Sequence, residues 1–374
     1  GDHRDLHLSL RRQRQMCIRD SSTLSADVKV VTSIKPIHSL AAYVMDGVGK
    51  PNVIVDGYNS PHGFSLKPSH AKMIENADLI IWVGEDLEAF LEKPLDSIAK
   101  KATKVELMDL KGIKKLKFRE KNIFEGHDDH GHKEDKHDDH GHKKDKHDDH
   151  GHKKDKHDDH GHKEHKEHGH KEDKHKEDKH DDHGHEGHAH GEHDPHIWLD
   201  PMNAKVIIKE ITNQLVKLDS ANSAKYKANS REAISDIDAL TKSIKKDLNK
   251  NSRVVVFHDA YQYFENRFGI KILGALTVNT DVLPGAEQLA EIREVIEHEK
   301  VNCIFSEPQF NPSIIKTIAK DTNIKTGVLD PLGATLDKGK GMYSELLKNM
   351  SSSCLLYTSP SPRDRTRSRM PSSA

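Results

Sequence analysis

Between His127 and His193 the chain has hardly an apolar side chain. Ordering a backbone costs roughly 1 to 2 kcal/mol per residue, and a stretch with nothing to bury cannot offset that cost. Residues 127–193 are therefore predicted to be a disordered insertion, and whatever folds is built from the sequence on either side. The segment carries a ten-residue repeat, HGHKEDKHDD from His130 and HGHKKDKHDD from His140 and again from His150, which decays after His160. A repeat without an apolar position has no face to stack, which argues against a solenoid. Of the 30 histidines in the chain, 22 fall in this segment, so the enrichment is local.

Both ends also stand apart. Residues 1–26 and 354–374 lack hydrophobic periodicity and differ in composition from what they flank, and both are read as foreign or remnant, disordered ends. Leu24-Ser25-Ala26 before Asp27 reads as the close of a signal-peptide cleavage region whose apolar part is missing. With Cys17 and Cys354 in these ends, Cys303 stands alone, and the residues themselves argue for neither a disulfide nor a cysteine metal site. No apolar run reaches the roughly 18 residues that a membrane span needs. The 59 Lys and Arg nearly balance the 61 Asp and Glu and gather on no one face, which speaks against a nucleic-acid partner.

What remains alternates short β-branched runs with helical patterns, the signature of βαβ units around a parallel sheet. Strands are predicted over 29–33, 52–56, 79–83 and 104–108, with helices between them, giving an N-terminal α/β lobe over 27–126 and 194–219. A long helix follows over 220–250, its apolar positions Ile234, Ile237, Leu240, Ile244 and Leu248 spaced by three and four. At 1.5 Å per residue it would be about 40 Å long, enough to join two domains. The alternation then restarts, with strands over 253–257, 271–275, 303–306 and 325–329, as a C-terminal α/β lobe over 251–353.

In open parallel sheets, ligands bind beyond the carboxyl ends of the strands. That rule selects His62, after the second strand; His258, ending Val254-Val255-Val256-Phe257; Asp330, ending Gly327-Val328-Leu329; and His196, in DPHIWLDP where the insertion rejoins the fold. Three imidazoles and a carboxylate suit zinc, which favours four tetrahedral ligands of nitrogen, sulfur and oxygen. His62 and His196 come from one lobe and His258 and Asp330 from the other, so an ion between them would tie the halves together. Asp330 also precedes a proline, where aspartate is a common turn former. Glu307 ends another strand and is expected to line the site. His38, His70 and His298 lie within helical patterns or at their ends, and are read as surface or hydrogen-bonded core residues.

The segments SPHGFSLKPS, DPHIWLDP, FHDAYQYF, SEPQFNP and LDPLGA, together with ADLIIWVGEDLEAFLEKPL and the His/Asp-rich insertion before DPHIWLDP, carry a resemblance. From about Asp27 to Ser353 the chain resembles the zinc-specific periplasmic binding proteins of bacterial ABC importers, in the cluster 9 (A-I) metal-binding family. The resemblance implies two lobes, each a small, mostly parallel four-stranded sheet flanked by helices, joined by one long linker helix. It implies zinc held by His62, His196 and His258, with Asp330 or water in a fourth position that varies within the family. Manganese-type relatives carry glutamate where this chain has His258, a harder ligand for a harder ion. It further implies a monomeric, non-enzymatic receptor in the periplasm, a membrane permease as partner, and a disulfide matching Cys303 and a C-terminal cysteine.

Three other readings are weighed. A manganese receptor or metal-dependent adhesin on the same fold is opposed by His258 and by the insertion. A zinc hydrolase or hydratase would use a three-histidine site with bound water, yet the chain has no HExxH or GxSxG. A metal store working through the insertion alone would hold many equivalent ions and have no tight site. The insertion's histidines and aspartates are expected to concentrate zinc or relay it to His62, His196 and His258.

Overall fold

The computed structural model describes residues 27–119, 121, 123, 191–248, 253–277, 280 and 284–358. The expected disorder of residues 1–26, and of the insertion up to residue 190, falls outside the described residues. The last three residues of the expected insertion already belong to the fold, because His193 forms an antiparallel bridge with Lys117.

The first sheet holds β1 (Val30–Ile34), β2 (Asn52–Val55), β3 (Leu79–Trp82) and β4 (Thr103–Glu106) in the order β2-β1-β3-β4. The second holds β5 (Arg253–His258), β6 (Lys271–Thr277), β7 (Cys303–Ser306) and β8 (Lys325–Val328) in the order β6-β5-β7-β8. Every pairing is parallel. Both sheets therefore follow one plan, and both confirm the expected α/β class. The central strands β1, β3 and β5 are buried almost end to end, as strands covered on both faces must be.

Helices α1 (Lys35–Val44), α2 (Pro68–Glu75) and α3 (Glu85–Ser97) connect the first four strands. Proline sits in the first turn of α1 and of α2, where its missing N–H costs nothing. After the insertion, α4 (Pro201–Leu218) starts on Asp200, whose side chain accepts the Met202 amide at 2.8 Å. Arg267 donates twice to the same carboxylate, at 2.7 Å each, and so ties this cap to the second lobe. The long helix is α5 (Ser223–Asp247), and α6 (Gln262–Phe268), α7 (Ala286–His298), α8 (Ser313–Thr322) and α9 (Met342–Thr358) follow.

Helix α9 corrects one boundary. Cys354, expected to open a disordered tail, lies inside α9 and is 1 % exposed, with Leu355 packed partly on the core. Cys303 and Cys354 are both buried thiols, and burial pushes each up to about 12.

The lobes are closely joined. Helix α5 packs on α4 and α1 of the first lobe and on α9 of the second. One apolar core runs from Val30 and Ile37 through Ile237 to Phe264 and Leu347. Trp198 donates its indole N–H to the Pro331 carbonyl at 2.8 Å, and Tyr343 donates its hydroxyl to the Trp198 carbonyl at 2.7 Å. Such a seam resists wide hinge motion, because opening it would expose core.

Candidate metal centre

The three histidines reach one point by different routes. His258 is the last residue of β5, at the place where the strand order of the second sheet reverses between β5 and β7. His62 rides on the loop after β2, which turns at Gly57 with a φ of +66°; the Gly57 amide donates to Asp56 at 2.8 Å. Phe64, two residues on, packs its ring on Phe90 at 5.1 Å and pins that loop to α3. His196 follows a short ribbon in which the Phe118 amide donates to the Glu192 carbonyl and the Asp194 amide to the Leu116 carbonyl, at 3.1 and 2.9 Å. The buried Trp198 then anchors the chain just past His196.

These paths bring three ring nitrogens together. His196 Nε2 lies 3.4 Å from His62 Nε2 and 3.3 Å from His258 Nε2, and the three donor atoms all fall within 4.8 Å of one another. His196 and His258 are almost fully buried, at 3 % and 4 % exposure. A tetrahedral ion with metal–nitrogen bonds of roughly 2.0 to 2.1 Å would set its ligand nitrogens about 3.3 to 3.4 Å apart. Both separations from His196 match that figure.

The far sides of two rings are also fixed. His196 Nδ1–H donates to Asp194 Oδ1 at 2.8 Å, and His258 Nδ1–H donates to Glu307 Oε1 at 2.7 Å. A carboxylate on Nδ1 sets the tautomer and turns the Nε2 lone pair inward, the usual outer arrangement of metal-binding histidines. Glu307 thus takes the neighbouring role expected of it. Asp194 was missed by sequence reasoning, although an aspartate two residues before a candidate ligand in DPHIWLDP was a signal that could have found it.

Electrostatically the centre is short of positive charge. Burial pushes Asp194 and Asp259 up to about 7, even with the Arg119 guanidinium opposing the shift at both. Arg119 donates to Asp259 at 3.0 Å and also to Glu265. His196 is held well below the ordinary histidine value by burial and then by His258. Burial pulls His258 down too, but Glu307, with Asp259 and Asp194, outweighs it and raises the group. Buried carboxylates behind inward-turned lone pairs favour a cation at the centre.

Asp330 stands outside this group. Its Oδ1 accepts the Leu332 and Gly333 amides at 3.1 and 2.9 Å and the Gln309 side-chain N–H at 2.9 Å, and its Oδ2 accepts the Ala334 amide at 2.6 Å. The carboxylate therefore organises its own turn, which needs Gly333 at a φ of +66°. Three other described histidines lie away from the triad. His38 donates to the Pro51 carbonyl at 3.2 Å, His70 Nδ1 accepts the Lys67 amide at 3.2 Å to cap α2, and His298 ends α7.

A niche of about 10 Å³ adjoins the triad, lined by His62, His196, His258, Glu307, Gln309 and Leu332 among others. A cavity needs roughly 10 to 15 Å³ on this measure to hold one water. The niche is sized for an ion or a single small molecule such as water. Among the described residues, no helix is long and apolar enough to cross a membrane.

Comparison with known proteins gives a consistent result. Residues 30–353 match the family model of the periplasmic zinc-uptake complex component A, ZnuA. The high-affinity zinc uptake system protein ZnuA of Brucella abortus is 47 % identical over 326 residues, covering 87 % of this chain and 90 % of that one. Its namesake from Yersinia pestis is 36 % identical, covering 88 % of this chain and 92 % of that one. A crystal structure of ZnuA superposes with a TM-score of 0.64 at 18 % identity, covering 89 % of this chain and 99 % of that one, which supports the fold alone.

Proposed function

This chain belongs to the periplasmic zinc-uptake complex component A family, and on that premise we propose that it is a receptor that captures zinc between its lobes. It hands the ion to the membrane permease of an ABC importer, acts in the periplasm as a monomer, and performs no chemistry on its cargo. His62, His196 and His258 hold the ion. The observation that carries this reading is the convergence of three Nε2 atoms at 3.3 and 3.4 Å, the spacing of a tetrahedral zinc site.

Two alternatives lose ground on particular features. An imidazole at His258 suits zinc better than manganese. The niche beside the ion is only about 10 Å³, which weighs against a hydrolase. The insertion, residues 127–190, supplies weak sites that concentrate zinc for the receptor. Deleting it is expected to lower the total zinc bound while sparing one tight site. Calorimetric titration of both forms would decide this, and loss of the tight site on deletion would refute it.

Zinc affinity is also expected to depend on pH through His258. A proton on its Nε2 competes with the ion, and the group titrates above the ordinary value of about 6.5. Affinity is therefore full above that raised value and falls as the solution is acidified through it, by about tenfold per pH unit for each proton displaced. His196, held well below the ordinary value, adds its loss only at lower pH. Titrations from about pH 8 down to about pH 5 would test this; an affinity flat across that range would remove His258 from the site.

A further inference from the structure

Three imidazoles leave a tetrahedral ion one further position. Gln309, on the loop after β7, lines the niche beside them, whereas Asp330 does not. Gln309 Nε2 donates to Asp330 Oδ1 at 2.9 Å. An ionised carboxylate can only accept, so this bond fixes which end of the amide is nitrogen and turns that end away from the niche. The other end, Oε1, is buried and has no hydrogen-bond partner. Asp330 is itself held by the Leu332, Gly333 and Ala334 amides, so the whole arrangement is rigid. A buried acceptor beside an ion site calls for a donor.

We propose that Gln309 completes the zinc site from outside the coordination shell. Its Oε1 accepts a hydrogen bond from a water that fills the fourth position on the ion, and Asp330 holds the amide in that orientation. Asp330 thus acts on the ion at one remove, through Gln309, instead of binding it. The inference rests on the three-histidine reading given above. It makes Gln309 a positioning residue that fixes both the donor set and the fit of the ion.

The test uses the full chain with one equivalent of ion, in a chelator buffer that keeps the insertion's weak sites empty. Zinc affinity is measured by chelator competition, and the ligand field by the visible spectrum of the cobalt(II) form at saturation. Gln309→Leu is expected to weaken zinc about 10- to 100-fold, as loss of an outer partner does, and to alter the cobalt spectrum. Gln309→Glu is expected to keep the affinity while altering the spectrum, since a carboxylate there can replace the water. Asp330→Asn, which lets the amide turn over, should weaken binding less than Gln309→Leu. Parent affinity and spectrum in Gln309→Leu would overturn the proposal. So would weaker binding with an unchanged spectrum, which marks a purely structural role. Should Gln309→Leu fail to fold, Gln309→Glu carries the spectral comparison, and an unchanged spectrum in it overturns the proposal. His258→Ala, run alongside, tests the underlying site separately: if it binds as the parent does, the three-histidine reading itself falls.

Discussion

Replacing His196 with alanine in a chain lacking residues 127–190 is expected to weaken zinc binding by roughly a hundredfold to a thousandfold. Tight structural zinc sites are worth about 10 to 16 kcal/mol, so each of four ligands carries about 2.5 to 4 kcal/mol. His196 should show the largest loss of the three. It is the ring flanked closely by both others, at 3.4 and 3.3 Å, and its Nδ1 and backbone amide both donate to Asp194. Removing it takes away a ligand and also leaves the buried Asp194 carboxylate with the backbone amide alone, without the imidazole N–H. His62, half-exposed on its loop, should cost less. Deleting the insertion matters to the design, because its many histidines would otherwise mask the change. Competition against a chelator of known affinity gives the constant; a His196→Ala protein within about tenfold of its parent would sink the assignment.

How much of this was legible in the sequence depends on the range over which each residue is determined. The strands and helices were readable because β-branched runs and three-and-four spacing are local signals, and β5 ends on His258 where its apolar run stops. Selecting His258 at the end of β5 and His62 on the loop after β2 needed the rule for parallel sheets, and His196 the DPHIWLDP segment where the insertion rejoins the fold. Asp330 was harder. Strand β8 stops at Val328, so Asp330 falls two residues past it, in a turn whose amides take its carboxylate. An aspartate before proline already offered that reading, but no local signal says which way such a carboxylate faces. Asp194 was lost for a different reason. It sits at the edge of a segment so polar that one more acid stood out little; its place two residues before His196 was the one available signal, and the fold shows that it supports that ring. Cys354 was misplaced because composition changes abruptly there, whereas the helix continues for as long as its apolar face still meets the core.

The largest effect on stability is expected at Lys35, a residue with no sequence signal at all. It is the first residue of α1, at the carboxyl end of β1, yet its side chain is only 4 % exposed. The ammonium crosses to the other lobe and donates to the Gly333 and Leu336 carbonyls at 2.6 Å each and to the Ala334 carbonyl at 3.3 Å. Burial lowers its pKa, and the nearby Asp56 and Asp330 resist that shift. The loop it grips is the one that Asp330 organises from the amide side, and the same loop lays Leu332 against the niche. Lys35→Met keeps the length of the side chain but leaves up to three carbonyls without this donor. Each buried carbonyl left unsatisfied costs about 1 to 3 kcal/mol. A domain's whole margin is only about 5 to 15 kcal/mol, so this single change would remove a large part of it. Urea unfolding of the zinc-free protein should show the loss as a lower midpoint with little change in slope. Because the loop also borders the ion, zinc should recover part of the stability by mass action. A shift under about 1 kcal/mol would mean that water replaces the ammonium at this seam, and that the lobes are held together by their shared apolar core instead.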